Sequence, residues 1–163
     1  MATSQHHQVT LGKLGKVSGQ RNESKSNSVI SKKKLQMSFV HKDRSLPQVL
    51  IDGEKMRAVL QNLLENAIKY TPEGGRIEMD FQVVGDFVQM SIKDGGIGIP
   101  DEDKKNIFRR FFRAKNAIKV ETDGSGLGLF IAKGIIEKHG GKIWFESSPG
   151  LGTIFNFTIP IAK

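Results

Sequence analysis

The amino-acid sequence predicts an α+β fold, a two-layer α/β sandwich in which helices pack on one face of a mixed β-sheet. Three observations support this prediction. Several short segments alternate apolar and polar residues, as half-buried strands do; longer segments repeat apolar residues at helical spacing; and glycine-rich turns separate them. The chain has 163 residues, which is enough for one domain with a sizeable core.

The basic residues concentrate near the start of the chain. The formal net charge is +8, and residues 1–45 hold nine Lys and Arg against two Asp and Glu. Residues 1–33 are rich in Ser, Gln, Lys and Gly, and such a segment buries too little apolar surface to offset its ordering entropy. We therefore expect a flexible basic leader, linker or tag remnant over residues 1–33, and a folded domain over residues 34–163.

The composition argues against several classes of protein. The chain has no cysteine, which excludes disulfides and thiolate metal sites and fits a reducing compartment such as the cytoplasm. No apolar run approaches the ~18 residues that a membrane span needs, and no signal-peptide pattern opens the sequence. The basic leader lacks interleaved aromatic residues and any recognisable nucleic-acid module, so we expect no nucleic-acid partner.

Six segments have the pattern of strands and three have the pattern of helices. The longest helix begins at the good N-cap residue Asp52 and runs to about Tyr70. A Gly85-Asp86 turn between two alternating segments predicts a hairpin. The predicted strands are residues 35–39, 49–51, 76–84, 87–93, 142–146 and 153–159. The other predicted helices are residues 100–112 and 126–139, with a loop over residues 113–123.

Asn62, Asn66 and Lys69 share one face of the longest helix because they lie at positions i, i+4 and i+7. Asn is a mediocre helix former, so its recurrence there favours a site with two amide oxygens near Mg²⁺ and an ammonium group near phosphate. The same residues also fit an ordinary polar surface on which Glu65 and Lys69 form an ion pair.

Two glycine-rich segments follow this helix. Asp94-Gly95-Gly96-Ile97-Gly98 comes directly after an apolar strand, where a buried carboxylate can accept a hydrogen bond from an adenine amino group; a simple turn fits it equally well. Gly124-Ser125-Gly126-Leu127-Gly128-Leu129 opens the last helix, whose first N–H groups favour anions. It is neither a Walker loop nor a good dinucleotide fingerprint, and a flexible hinge is the alternative. Together these segments make ATP binding the first hypothesis.

The order of these motifs resembles the ATP-binding catalytic domain of sensor histidine kinases, within the superfamily that includes gyrase, Hsp90 and MutL ATPases. The likeness covers residues 35–161, and the run from His139 to Trp144 is also similar to these kinases. The motifs are Asn62…Asn66, Asp94-x-Gly96-x-Gly98, the Phe- and Arg-rich residues 107–113, Gly124-x-Gly126-x-Gly128 and Gly152-Thr153-x-Phe155. The resemblance implies a Bergerat-type fold with a mobile ATP lid.

The resemblance also implies which residues hold the phosphates and the metal. Asn66 would be the principal Mg²⁺ ligand and Asn62 would assist it, while Lys69 would reach a phosphate and Arg113 would meet the γ-phosphate. Gly124, Gly126 and Gly128 would wrap the phosphates, and Ser125, Leu127 and Leu129 between and beside them would also bind the cofactor.

For the base, the resemblance implies that Asp94 reads the adenine amino group and that Tyr70 lies against the ring. Residues 101–123 would form the lid, anchored by Phe108, which would also help to bind the cofactor, and by Phe111. The remaining residues of the adenine pocket would be Gly96, Gly98, Ile99 and Thr153.

The chain departs from the family pattern in three places. Gly95 replaces the usual Asn or Thr, and Asn62 stands where the gyrase and Hsp90 branches have a catalytic Glu, which argues against a dedicated ATP hydrolase. A phosphoacceptor histidine is absent. His41 is followed by an acid and a proline that are each displaced by one position, and it lies too close to the Asn helix for a preceding helical hairpin.

The resemblance thus implies a catalytic domain of a two-component sensor histidine kinase, with ATP and Mg²⁺ as cofactors. It would phosphorylate a histidine on a separate dimerisation and phosphoacceptor domain, and so act indirectly on a response regulator. The chain would be cytoplasmic, either on its own or as the cytosolic part of a membrane-anchored sensor. An ATP-hydrolysing clamp, a protein-serine kinase of the same superfamily and a module that only docks a partner are the alternatives.

Overall fold

A mixed five-stranded β-sheet forms one layer of the molecule, and helices cover one of its faces. The computed structural model describes residues 7–10, 23–41 and 47–162. Its elements, in chain order, are β1 (His7–Thr10), α1 (Glu23–Lys32), β2 (Gln36–His41), β3 (Gln48–Ile51), α2 (Gly53–Tyr70), β4 (Arg76–Val84), β5 (Phe87–Asp94), α3 (Asp101–Lys104), α4 (Lys115–Val120), α5 (Gly128–Lys138), β6 (Ile143–Ser148) and β7 (Gly152–Pro160).

The sheet has the strand order β2-β4-β5-β7-β6, and β1 pairs separately with β3. Strands β2 and β4 run parallel, whereas the other neighbours in the sheet run antiparallel. In the β4–β5 hairpin, Val84 pairs with Phe87 across the turn, and Gly85 has a φ of 58°, which glycine adopts without steric cost. The predicted fold class and the predicted hairpin are both confirmed.

The apolar core lies between the sheet and helices α2 and α5. On α2 the buried face includes Val59, Leu63 and Ala67, which repeat at helical spacing as predicted. The strands contribute their alternate, inward-pointing positions; the buried ones include Ile77, Phe81, Val88, Met90, Ile92, Phe155, Phe157 and Ile159. Each fully buried large apolar side chain contributes roughly 1.5–3 kcal/mol, so this layer orients the polar face of α2 away from the sheet.

Helix α2 begins as the sequence predicts, because the Asp52 side chain accepts a hydrogen bond from the Lys55 N–H at 3.2 Å. The backbone N–H of Asp52 also donates to Nε2 of His139, at 3.0 Å, just beyond the end of α5. The N-terminal end of α2 is therefore tied to the C-terminal end of α5. Among the described residues, no helix combines the length and the apolar content that crossing a membrane requires.

The prediction of one helix over residues 100–112 is wrong. Only α3 is helical there, and turns continue to residue 112. Phe111 has a φ of 62°, which an α-helix does not accommodate. Phe108 instead turns into the core, where its ring packs against Phe145 and Phe155 at centroid distances of 5.8 and 6.4 Å. Aromatic packing against the sheet thus overrides the local helical pattern.

The prediction of a loop over residues 113–123 is wrong as well, because this segment contains α4. Asp103, which is buried, accepts a hydrogen bond from the backbone N–H of Lys115 at 3.0 Å. A carboxylate from outside the helix therefore satisfies one of its first N–H groups. Because this partner lies 12 residues earlier in the chain, no capping pattern next to the helix reveals its start.

The expectation that regular structure begins near Lys34 is also wrong, since α1 and β1 lie within the predicted leader. Helix α1 ends in a Schellman motif: Leu35 N–H donates to Ile30 O at 3.0 Å and Lys34 N–H donates to Ser31 O at 3.1 Å. Residues 1–6 and 11–22 of the leader, and residues 42–46 after His41, lie outside the described residues. The division into leader and domain stays a prediction.

We expect Lys34→Gly to stabilise the protein by about 0.5–1 kcal/mol. Lys34 occupies the C′ position of the Schellman motif with a φ of 51°, where a side chain is strained and glycine is not. Urea denaturation of both proteins measures the change. Lys34→Ala is the control: it also loses the exposed ion pair with Glu73 but keeps the strain, so it should not be stabilised. Equal stabilities of the Gly and Ala variants would contradict the argument.

Candidate functional site

A cavity of about 210 Å³ lies between α2, the loop after β5, the segment that contains α4, and the start of α5. Most residues that the sequence singles out line it. These are Asn62, Asn66, Lys69, Tyr70, Asp94, Gly98, Ile99, Arg113, Gly124, Ser125, Gly126, Gly128, Leu129 and Thr153. Three predicted cofactor-binding residues do not line it, namely Gly96, Phe108 and Leu127.

Helix α2 presents Asn62, Asn66 and Lys69 to the cavity on one face, at the predicted spacing. Among the described residues, the Lys69 ammonium makes no ion pair within 4 Å, and the Glu65 carboxylate instead accepts a hydrogen bond from Gln61 at 2.9 Å. The Glu65–Lys69 pair considered from the sequence is therefore not formed. An unpaired cation beside two side-chain amides makes this wall suited to an anion.

Asp94 is the last residue of β5 and is only 7% exposed. Its Oδ1 accepts hydrogen bonds from the backbone N–H groups of Gly96, at 2.9 Å, and Thr153, at 3.2 Å. Burial raises the pKa of Asp94 from 3.8 to about 6, although these two bonds act in the lowering direction. Both bonds fall on one carboxylate oxygen, which leaves the other for a ligand donor.

Two glycines allow the loop after β5 and the turn before β7 to pack backbone against backbone. Gly98 has a φ of 66°, and a Cβ there would lie 2.0 Å from Ser148 O. Gly152 has a φ of 92°, and a Cβ there would lie 1.9 Å from Asp94 O. No side chain fits at either position, so these glycines fix the wall of the cavity around Asp94.

Hydroxyl groups complete the same wall. Ser147 Oγ accepts a hydrogen bond from Ile99 N–H at 2.9 Å and lies 2.9 Å from Thr153 Oγ1. Because Thr153 N–H also donates to Asp94, the carboxylate, the loop after β5 and the start of β7 form one connected network.

The second glycine-rich segment brings the start of α5 close to α2. A Cβ on Gly128 would lie 3.1 Å from Oδ1 of Asn62, so a larger residue would press on that amide. The N-cap residue of α5, Leu127, makes no side-chain capping bond, and the first residues of the helix, Gly128 and Leu129, line the cavity. Uncapped N–H groups at a helix start are positively polarised and suit an anion.

Arg113 lines the cavity, but its guanidinium is already engaged within the segment that contains α4. It donates to the carbonyl oxygens of Glu121 and, at 2.8 Å, Thr122, at the C-terminal end of α4. A Cβ on Gly124 would lie 2.9 Å from its Cζ, so that glycine gives it room. A contact with a phosphate group would require Arg113 to leave these carbonyls.

The predicted cofactor-binding residues outside the cavity have other contacts. Gly96 acts through its N–H bond to Asp94, and a Cβ there would lie 2.6 Å from Asp94 Oδ1. Leu127 N–H donates to Ser125 Oγ at 3.3 Å. Phe108 packs against Phe145 and Phe155 in an aromatic cluster.

Several residues that line the cavity were not singled out from the sequence. Asn116 of α4 donates through Nδ2 to Gly98 O at 2.8 Å, while its buried Oδ1 has no hydrogen-bond partner within the part of the chain that the structure describes. No local pattern identifies it, because α4 itself was missed. The others are Glu65, Ala114, Ala117 and Asp123, together with Ile97, Ile107, Phe112 and Phe155, which lie within the recognised motifs.

Few of the side chains that line the cavity could bind a metal ion. Among the described residues, no three His, Cys, Asp or Glu side chains cluster in a way that could hold a metal ion. The amide oxygens of Asn62 and Asn66 remain as hard donors at the cavity wall. One or two such ligands fit Mg²⁺, which usually keeps several waters and substrate phosphates as its other ligands.

Comparison with known proteins agrees with this geometry. The family model described as histidine kinase-, DNA gyrase B- and HSP90-like ATPase matches residues 51–163. The sensor histidine kinase WalK of Bacillus subtilis (strain 168) is 43% identical over 123 residues, which cover 72% of this chain and 20% of WalK. The adaptive-response sensory kinase SasA of Thermosynechococcus vestitus is 44% identical over 117 residues, which cover 71% of this chain and 30% of SasA. The chain therefore spans less than a third of these relatives.

Solved structures of a histidine kinase, ThkA, have the same fold. The nucleotide-free catalytic domain of ThkA superposes with a TM-score of 0.78 and 34% identity, covering 96% of each chain. ThkA in complex with the response regulator protein TrrA gives a TM-score of 0.74 and 31% identity, covering 96% of this chain and 42% of that one.

We expect Asp94→Asn to raise the free energy of unfolding at pH 7.5 by roughly 2–3 kcal/mol. The raised pKa means that the folded protein holds the Asp94 proton more tightly than the unfolded chain does, so the ionised group destabilises the fold. Asparagine keeps an oxygen for the two N–H bonds without the buried charge.

Urea denaturation between pH 4 and pH 8 measures this effect and its sign. Wild type should lose the contribution of Asp94 as the pH rises from about 4 to about 6, so the advantage of the variant should shrink on acidification. A variant that is less stable than wild type at pH 7.5 would contradict the argument.

Proposed function

This chain belongs to the histidine kinase-, DNA gyrase B- and HSP90-like ATPase family and corresponds to the ATP-binding catalytic domain of histidine kinases, and we propose that it transfers the γ-phosphoryl group of ATP to a histidine on a separate dimerisation and phosphoacceptor domain. One observation carries the proposal. One cavity combines a buried carboxylate, Asp94, with two amides, the Lys69 ammonium group, which has no ion pair among the described residues, and the start of α5, whose N-cap residue makes no side-chain capping bond.

Asp94 recognises the adenine ring in this proposal. Its Oδ1 is occupied by backbone N–H groups, so the second oxygen accepts the hydrogen bond from the adenine amino group. Tyr70, Ile99 and Thr153 surround the ring, and Gly98, which packs against the Ser148 backbone, lines the same pocket. Because N–H groups of Gly96 and Thr153 hold the Asp94 carboxylate in place, it selects a base whose amino group lies at one fixed position, as well as by its charge.

The triphosphate lies toward the other end of the cavity, between α2 and the start of α5. Lys69 and the first N–H groups of α5 neutralise its charge, and the amide oxygens of Asn66 and Asn62 hold the accompanying Mg²⁺. A Mg²⁺ ion held there would supply positive charge that offsets the negative charge developing on the phosphate groups during transfer. Gly128 allows α5 to approach Asn62 closely enough for both helices to face one ligand.

The chemistry requires no nucleophile from this chain. An imidazole nitrogen of the acceptor histidine attacks the γ-phosphorus, the bond to the bridging oxygen breaks and ADP leaves with that oxygen. The catalytic domain contributes position and charge stabilisation, which dominate phosphoryl transfer. The isolated chain should therefore bind nucleotide without turning it over at an appreciable rate.

The segment over residues 101–123 acts as a lid in this proposal. Phe108 anchors it to the core, and Asn116 connects α4 to the loop that carries Asp94. Closure over the triphosphate would bring Arg113 from the carbonyls of Glu121 and Thr122 to the γ-phosphate.

An exposed apolar surface at the lid and the start of α5 is the docking site that we propose for the acceptor domain. It consists of Phe111, Phe130 and Ile131, which are 62%, 44% and 43% exposed. Phe111 is held in a strained conformation by its N–H bond to Gly126 O at 3.0 Å. A strained, exposed aromatic residue favours a functional contact, because folding alone gains little from it.

Further partners are proposed by extension from relatives. ThkA has been solved in complex with a response regulator protein, TrrA, and we propose that a response regulator takes the phosphoryl group from the acceptor histidine here as well. We place the reaction in the cytoplasm, where ATP is available.

Calorimetric titration with a non-hydrolysable ATP analogue tests the pocket. Wild type should bind the analogue more tightly with Mg²⁺ than without it. Asn66→Ala should lose most of the Mg²⁺-dependent gain, and Asp94→Asn should lose binding under both conditions although its fold is more stable. Unchanged affinities in both variants would reject the assigned pocket, and the absence of binding in wild type would favour a docking module.

Phosphotransfer to a separately supplied acceptor domain tests the docking surface. Phe111→Asn relieves the strain, since asparagine tolerates a positive φ, and should leave analogue affinity within roughly twofold. It should lower the rate of acceptor labelling from γ-labelled ATP by about tenfold or more at low acceptor concentration. Leu151→Asn, which alters an 81% exposed apolar residue on the β6–β7 turn, is the matched control and should not change the rate. Equal rates in both variants would remove Phe111 from the interface.

A further inference from the structure

The C-terminal end of α2 is capped by a lysine from another part of the chain. Nζ of Lys33 lies 3.0 Å from the carbonyl oxygen of Ile68, 2.7 Å from that of Lys69 and 3.0 Å from that of Thr71. An ammonium group has three N–H donors, so this cap uses all of them. The positive charge also lies at the negative end of the helix dipole, which strengthens the interaction.

The remaining carbonyl groups at this helix end have backbone partners. Thr71 N–H donates to Ala67 O at 3.1 Å, and Ile97 N–H donates to Tyr70 O at 3.2 Å. All four terminal carbonyls of α2, which normally lack intrahelical partners, are therefore satisfied. Two of them depend on Lys33, and one depends on the loop that follows Asp94.

This helix end is part of the cavity. Lys69 and Tyr70, in the last turn of α2, line it together with Ile97 and Asp94. The carbonyl of Lys69 bonds to Lys33, while its ammonium group faces the cavity without an ion pair among the described residues. The position of that side chain therefore follows from how firmly the last turn is held.

Lys33 is itself held in place by the end of α1. It is the C-cap residue of the Schellman motif that ends this helix, and its carbonyl accepts a hydrogen bond from Gly74 N–H at 2.8 Å. Lys33, which connects α1 to β2, thus donates hydrogen bonds to the end of α2 and accepts one from the connection between α2 and β4. A displacement of α1 would act directly on the last turn of α2.

We propose that Lys33 is a positioning residue of the nucleotide site, which fixes Lys69 and Tyr70 and couples the placement of α1 to the affinity for nucleotide. The inference rests on the proposed nucleotide binding and adds a residue outside all the recognised motifs. Lys33 touches neither the ligand nor the reacting atoms, and it acts through the end of α2.

The test compares Lys33→Met with Lys34→Met, which makes the same chemical change at the neighbouring position. The Lys34 side chain is exposed, and its one ion pair among the described residues is with Glu73 at the surface, so it provides the matched control. We expect Lys33→Met to weaken binding of the Mg²⁺-ATP analogue by about tenfold, and Lys34→Met to stay within roughly twofold of wild type.

A second control separates positioning from general loss of stability. Ile159→Ala removes buried apolar volume on β7, away from the residues that line the cavity, and should lower the urea midpoint strongly. At a temperature where every variant is folded, its affinity should match that of wild type. An affinity loss equal to that of Lys33→Met would overturn the proposal, as would unchanged affinity in Lys33→Met. Failure of wild type to bind would instead overturn the proposed function.

A measurement on wild type covers the case in which Lys33→Met does not fold. The side-chain ¹⁵N resonance of Lys33 should report an ammonium group whose protons exchange slowly with water, unlike those of Lys34. Its chemical shift should change when the analogue binds. The proposal would be overturned if the Lys33 protons exchanged as fast as those of Lys34, or if the ¹⁵N chemical shift of Lys33 did not change when the analogue binds.

Discussion

The buried carboxylate of Asp94 is the interaction on which the site depends. It receives N–H bonds from Gly96, two residues further along, and from Thr153 on the neighbouring strand. Burial raises its pKa to about 6 in spite of these bonds, so the fold carries a destabilising charge at neutral pH. A residue needed only for stability would be uncharged here, and the retention of a costly carboxylate in a cavity favours a binding role.

Gly98, in the motif after β5, and Gly152, in the motif at the start of β7, together form one wall of the cavity. A Cβ on Gly152 would meet the carbonyl of Asp94, and a Cβ on Gly98 would meet that of Ser148. These motifs are separated in sequence but form one wall, because each lets the other backbone approach. The role of Gly98 and Gly152 is therefore to let two backbone segments pack, not to contact phosphate. Gly128 has a different role, because it lets α5 approach the amide of Asn62.

The sequence predicted those features that depend on neighbours in the chain. The face shared by Asn62, Asn66 and Lys69 follows from helical spacing, and the Asp52 cap follows from its own helix. It missed features whose cause is distant. Helix α4 starts where Asp103 reaches it from 12 residues earlier, and the cap on α2 comes from Lys33, 35 residues before Ile68. Helix α1 was missed because a lysine stands where glycine would normally mark its end.

The two helices that bear the ligand groups are fixed, so the proposed closure must take place in the lid. Helix α2 is tied to α5 through Asp52 and His139 at one end and is capped by Lys33 at the other. The bonds of Arg113, by contrast, lie within the lid segment, so the part of the lid around α4 can move without breaking them while Phe108 stays anchored in the core. Only the final step, in which Arg113 turns to a phosphate, leaves the end of α4 uncapped. A γ-phosphate must offset that loss, and ADP lacks one, so the geometry favours a closed lid with ATP over a closed lid with ADP.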